Sequence, residues 1–428
     1  MTEIIHPDRL TPPPVTSFTE INIPSEDKEV LPNGIEFHYV DMGEQPVSRM
    51  AMFWEGGLLD TDDKAAMAIM AQTFREQTRS LSDDAIADII DFNGARIASR
   101  AENHLVSLEL IALNSKLPDL LPVVRSIISE AEFNERNAGA VARKLSAARA
   151  VEMGRVSFQA VNKARRLVQG HNHPASSLIL PDEFEAVTPD RLLKLYDRMK
   201  QSVIHVFVGG ALGQRNVSLI RDFVAGLDCG NERPVTIHPF EPENSEGRIH
   251  IEMPQSKQSA VAMTLPVIGR DNPDYIALRF TIMALGGYFG SRLMHNIREE
   301  KGLTYGISAS LLGSQEGAYM EISAQCAEDC VDQLIEESVK EIRKLVTEPP
   351  TGDELYRLRQ YAWSQLAASA DSSFGVLDHY ITKLRVATPD NYFTSQLSVL
   401  DKLSSSMISE MAEKYLNPDA LRVVTCGI

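Results

Sequence analysis

The chain has 428 residues, 43% of them hydrophobic, with 59 acidic against 42 basic side chains and a formal charge of -17. At roughly 100–200 residues per domain, that length calls for two or more domains with cores of their own. The negative balance disfavours nucleic acid and anionic membrane as partners and suits basic peptides, and no apolar run of about 18 residues marks a membrane span.

The opening stretch, Met1 to Leu31, is polar and carries Pro7, Pro12, Pro13 and Pro14. It lacks a basic start followed by an apolar run, so it does not read as a secretory signal. An extended arm lying on the surface is expected. The apolar strand Met50–Phe53 then ends in Glu55-Gly56-Gly57. Helical stretches follow at Asp63–Arg75 and Ser82–Asp91, closed by the turn signal Asn93-Gly94. A hairpin comes next, Arg96–Ala101 with Leu105–Ala112, in which Leu108 and Leu110 alternate with Glu109 as in a half-buried strand. Helices are predicted over Leu117–Ile128 and, longer, about Asn134–Val168. After an irregular loop at Pro174, Thr188-Pro189-Asp190 starts a helix to about Met199, and Val203–Val208 is a buried strand closed by Gly209-Gly210.

The same order then recurs, which is the main organisational signal. Ser259–Leu265 is a strand, and Pro273–Leu285 a helix ending at Gly286-Gly287. A short helix Ser291–Glu300 leads to a hairpin, Tyr305–Leu311 with Ala318–Ala324. Helices follow at Glu328–Leu345 and Asp353–Ala387, then Thr388-Pro389-Asp390 and a closing strand Leu421–Thr425. Between the repeats, Pro234, Pro239 and Pro242 stand among charged and small residues, the composition of a linker. The expected architecture is α+β: two homologous α/β-roll halves, 1–227 and 249–428, joined by a linker at 228–248. Each half should have an antiparallel-rich sheet covered by helices on one face.

Cys229, Cys326, Cys330 and Cys426 are too sparse for a disulfide scaffold. Cys326 and Cys330 stand four apart, but no second Cys or His pair accompanies them, so two small apolar side chains are expected there. Reduced thiols and the missing signal point to the cytoplasm, or to the periplasm by an export route the sequence does not reveal. Of the ten histidines no two are spaced four apart. His171 and His173 read as structural loop residues and His104 as a surface or hairpin polar group. Nucleophile-elbow, P-loop and dinucleotide-binding patterns are absent.

The words Leu285-Gly286-Gly287-Tyr288-Phe289-Gly290-Ser291-Arg292-Leu293 and Ile297-Arg298-Glu299-Glu300-Lys301-Gly302-Leu303-Thr304-Tyr305 resemble the C-terminal signature of the insulinase and mitochondrial processing peptidase family. Leu31-Pro32-Asn33-Gly34 is similar to that family's opening hairpin, and Gly170-His171-Asn172-His173-Pro174 to the loop after its long helix. Active members carry an inverted zinc motif on the first helix, two histidines four apart with a glutamate between them, and a third acidic ligand on the long helix. Two such histidines share a helix face and reach one ion, while the glutamate takes a proton from the bound water. The matching stretch here is Met67-Ala68-Ile69-Met70-Ala71-Gln72-Thr73, with Ile69, Gln72 and Thr73 read as standing at the three positions. Gly139 to Ala150 holds no Asp or Glu, so no metal ligand and no cofactor are expected.

What the resemblance keeps is a substrate-binding Arg and Tyr seven residues apart, matched by Arg298 and Tyr305. The alternative is that Arg298 pairs with a neighbouring helix and Tyr305 packs. The resemblance implies a non-catalytic, substrate-binding subunit of a clamshell peptidase. Its partner would be a zinc-bearing homologous subunit, or a second copy of itself, and its substrate an unstructured peptide. Edge-strand pairing near Ala98–Arg100 is a route for peptide binding without side-chain specificity. Two other readings stand beside it: a homodimeric structural or peptide-holding protein, and an active metallopeptidase, which would need metal ligands elsewhere.

Overall fold

The computed structural model describes Thr11, residues 21–243 and residues 247–428. Pro7, Pro12, Pro13 and Pro14 of the expected arm lie outside the described residues, as do linker residues 244–246.

Two sheets share one topology. Strands β1 (Asp27–Val30), β2 (Glu36–Asp41), β3 (Val47–Glu55), β4 (Arg96–Ala101), β5 (Leu105–Leu113) and β6 (Ile204–Gly210) form the first, in the order β1-β2-β6-β3-β5-β4. Strands β7 (Arg248–Glu252), β8 (Ser259–Val267), β9 (Thr304–Gly313), β10 (Ala318–Cys326) and β11 (Arg422–Gly427) form the second, in the order β7-β11-β8-β10-β9. Without β1 the two orders superpose strand for strand. In each, only the opening and closing strands pair in parallel, β2 with β6 and β7 with β11. This is the antiparallel-rich α+β repeat that the chain order implied.

The expectation of a sheet covered on one face needs correction. Along β3, Met50, Met52 and Trp54 face the first half's own helices, while Ala51 and Phe53 pack under Val376, Leu377 and Ile381 of helix Ser373–Val386, from the other half. Reciprocally, Val156, Ala160, Ala164 and Leu167 of first-half helix Val156–Gln169 lie on Ala260, Ala262, Val424 and Cys426 of the second sheet. Each half thus lends a helix to the other's sheet. Central strands buried on both faces become near-continuous apolar runs rather than alternating ones.

The exchange depends on a break in each long helix. The predicted helix 134–168 is two, Glu135–Met153 and Val156–Gln169, separated at Gly154. The predicted helix 353–387 is also two, Gly352–Ala370 and Ser373–Val386, the second capped by the Ser372 side chain on Gly375 N. Each break re-aims the following helix across to the opposite sheet. Ion pairs then join the halves. Arg165 grips Glu321 with two bonds of 2.7 and 2.9 Å, and Arg385 grips Glu102 at 2.6 and 2.8 Å. Forked pairs of this kind are the stronger form of charge-assisted hydrogen bond.

The described part of the linker is stitched down at several points. Val203 N donates to Glu232 O, Phe240 N to Glu316 O and Glu241 N to Gln169 O, so it touches both halves. Asp27–Val30 and Glu36–Asp41 pair as a hairpin around Asn33-Gly34, where the resemblance implied one, while Arg248–Glu252, beginning on the last expected linker residue, was not foreseen.

Candidate functional site

The helix Tyr275–Gly286 ends where its glycine meets β9. A Cβ on Gly286 would stand 2.5 Å from the Ala309 backbone nitrogen, so only glycine allows this approach. The chain then turns into a π-helix, Met294–Glu300, whose wider pitch shows in the bond from Lys301 N back to Asn296 O, 3.1 Å. Such turns concentrate at functional sites. A buried polar cluster fixes this one. The Asn296 amide donates to Glu337 at 2.9 Å and Glu341 at 2.8 Å, and its oxygen accepts from Lys301 at 2.6 Å. Hydrogen bonds from Lys301 and then Asn296 hold the Glu337 carboxyl down at about 2. Gly302, at φ 64°, supplies the left-handed step that turns the chain into β9.

This segment carries both predicted binding residues. Arg298 lies over the exposed Phe289 ring, 4.7 Å from its centroid, and no carboxylate among the described residues pairs with it. Tyr305 is 91% exposed, so it does not pack. It stands at the start of β9, the edge strand of its sheet. With Thr304, Gly306 and Gln325 it lines a cleft of about 300 Å³, closed on the other side by Ser157 and Val161 of the lent helix. Arg298 is not part of that cleft's wall. The first-half candidate edge Ala98–Arg100 lies on β4, the outer strand of the first sheet.

The helix resembling the zinc helix is Lys64–Thr73. Asp63 caps it and is gripped by Arg191 at 2.6 and 2.7 Å. Its burial corrects the register read from sequence: Ile69 and Thr73 are both 0% exposed and face the core. The open side carries Lys64, Ala68 and Gln72. In either register the face lacks imidazole and carboxylate. Thr73 Oγ1 is buried without a hydrogen-bond partner, inside an apolar cluster that offers a cation nothing. The donor set does not fit zinc. Among the described residues no three His, Cys, Asp or Glu side chains are grouped to hold a metal.

His173 is committed to structure: it accepts from Ala175 N and donates to His238 O. Burial first, then Cys330 and Asp329, push the Cys326 thiol up to about 11, as for an inert core cysteine. His104 is not the surface group expected. It is 5% exposed and bridges the halves, with Nδ1 3.0 Å from Asp60 Oδ1 and Nε2 on Glu316. Burial opposes its charge, yet the bonds to Asp60 and Glu316 outweigh that and push its pKa up to about 9.

Residues 186–361 match the family described as peptidase M16 inactive domain. An uncharacterized zinc protease of Streptomyces coelicolor is 24% identical over 250 residues, covering 57% of this chain and 51% of the relative. That match spans about half of the relative's length. Among solved structures, a peptidase M16 inactive domain from Pseudomonas fluorescens superposes with a TM-score of 0.82 at 20% identity, over 94% of this chain and 98% of that one. The periplasmic protease PqqL of Escherichia coli superposes with a TM-score of 0.77 at 15% identity, over 99% of this chain but 48% of that one. The two-half fold, the inactive-domain match over residues 186–361 and the absence of the zinc motif support reading the chain as an inactive member of the insulinase (M16) family.

Proposed function

We propose that this chain is the non-catalytic, substrate-binding subunit of a clamshell zinc peptidase that works with a zinc-bearing homologous subunit on unstructured peptides. The observation that carries this reading is the contrast between the two halves. The first has lost its metal donors, while the second holds Arg298 unpaired and Tyr305 91% exposed on a segment fixed by the Asn296 cluster. Packing does not account for an exposed phenol there, nor for a guanidinium that rests on Phe289 with no carboxylate partner. An Arg fork suits a peptide carbonyl or carboxylate, and a tyrosine hydroxyl can donate to the oxyanion formed in hydrolysis. PqqL supports the pairing in one respect: this chain matches 48% of its length, which leaves room for a second unit of equal size. The edges β4 and β9 would take an extended peptide by backbone pairing.

The test is to mix the purified chain with a zinc-motif homologue from the same genome and follow hydrolysis of an unstructured peptide. Activity should need both chains and fall at least about tenfold with Arg298→Ala or Tyr305→Phe. A homodimer that ignores the zinc-bearing chain, or a mixed activity indifferent to both substitutions, overturns the reading.

A further inference from the structure

The cleft beside Tyr305 differs in character from the rest of the molecule. Charged residues make up 24% of the chain, yet none of those lining this cleft is charged. The acidic composition suggested basic peptides, but the wall here offers them no carboxylate.

The position of the lent helix creates the cleft. Val156 and Ala160 of helix Val156–Gln169 pack with Ala260 and Val424, on β8 and β11 of the second sheet. The helix is pinned further along: Thr264 Oγ1 donates to Ala164 O at 3.0 Å, and Arg165 grips Glu321. Its residues Ser157 and Val161 form one wall of the cleft. Beyond that wall, β10 and β9 carry an open face. On β10, Met320, Ile322 and Ala324 belong to the second-half core, so Glu321, Ser323 and Gln325 lie on the opposite face. On β9, Ile307 and Ala309 belong to the same core, and Gly306, Ser308 and Ser310, on the face opposite, are all exposed. The register sets Ser308 beside Ser323 and Ser310 beside Glu321. A strip of small hydroxyl side chains therefore runs from the Arg165–Glu321 pair to the cleft.

The polar groups of the cleft are neutral, and two of them are free. Thr304 Oγ1 lies 2.6 Å from Gln325 O and accepts from Gly306 N at 3.1 Å, so it is already engaged. The side-chain carboxamides of Gln258 and Gln325 are exposed and have no partner among the described residues. Each carboxamide offers both an acceptor and donors, the complement of another amide or of a hydroxyl. Arg165 and Glu321, at the end of the row, satisfy each other. A charged side chain entering the cleft would leave water and find no opposite charge free to meet it.

We propose that this cleft is a specificity subsite that takes an uncharged polar side chain of an extended peptide and holds it through the carboxamides of Gln258 and Gln325. Its volume of about 300 Å³ suits one side chain with its flanking backbone. The subsite rests on the peptide-binding reading above and narrows it, and it needs no zinc-bearing partner in order to be tested.

The test is NMR of the side-chain carboxamides in the whole chain alone, with the Gln258 and Gln325 signals assigned through Gln258→Ala and Gln325→Ala. The probe is the capped tripeptide alanyl-glutaminyl-alanine, against the same tripeptide with lysine or glutamate at its centre, each at up to about 10 mM. Both signals should shift with the glutamine peptide, and the two charged peptides should bind at least about fivefold more weakly. Each alanine variant should weaken the glutamine peptide about threefold or more, with an unchanged melting curve because both side chains are exposed. Gln325→Glu should tighten the lysine peptide at least about threefold, and Gln325→Lys the glutamate peptide likewise. Signals unmoved by any peptide, equal affinity for all three, or charge swaps without effect overturn the proposal. Selectivity in the lone chain without hydrolysis in the mixture removes only the pairing with a zinc-bearing subunit. Hydrolysis that needs Arg298, with a lone chain blind to peptide charge, removes only the subsite.

Discussion

The buried bridge at His104 makes a quantitative prediction about how the two halves hold together. Its imidazole sits between Asp60 of the first half and Glu316 of the second, all three almost fully buried. The folded-state pKa is pushed from 6.5 up to about 9. A group raised on folding contributes stability that is fully present below its unfolded value and lost as pH rises through its folded value. The contribution should therefore be complete below about pH 6.5 and gone above about pH 9, with a total of about 3 kcal/mol at 1.4 kcal/mol per pH unit. Urea unfolding of the native chain and of His104→Gln at several pH values measures this directly. The native chain should lose stability across that window by about 3 kcal/mol more than the variant does. Parallel curves across the window would show that the bridge carries no net charge and that this reasoning is wrong.

Three further outcomes follow from single residues. Thr73→Val removes a buried hydroxyl that has no partner and should stabilise the chain by about 1 kcal/mol in urea unfolding. Ala387→Gly relieves a left-handed alanine and should raise stability by up to about 1 kcal/mol, visible as a higher melting temperature. Tyr305→Phe should move stability by less than about 0.5 kcal/mol, because the side chain is exposed, and Arg298→Ala by less than about 1 kcal/mol, because it loses only a stack on the exposed Phe289; larger losses by calorimetry would mark them as structural.

Much of the fold was legible in the chain. The repeat showed because each half runs in the same order, strand, two helices, hairpin, helix and long helix, around strands whose apolar content declares burial. The strand β7 was missed because it is short, lies at the outer edge of its sheet and buries little, so it lacks an apolar pattern. The stripe Val156, Ala160, Ala164, Leu167 is plain as a helix face, but nothing local says that the surface it covers belongs to the other half. For the same reason His104 read as a surface group: both its partners are remote in sequence, Glu316 by 212 residues. Spacing alone could not set the register of the first helix, because Ala68-Ile69 and Gln72-Thr73 differ by one step and only burial shows which of each pair faces outward. The loss of metal donors was legible because it holds in either register.

That loss is also the central claim, and metal content tests it most directly. After dialysis against apo buffer, the purified chain should carry no stoichiometric zinc, with or without substitution on the helix Lys64–Thr73. One tightly held equivalent of zinc that disappears with Gln72→Ala would contradict the account.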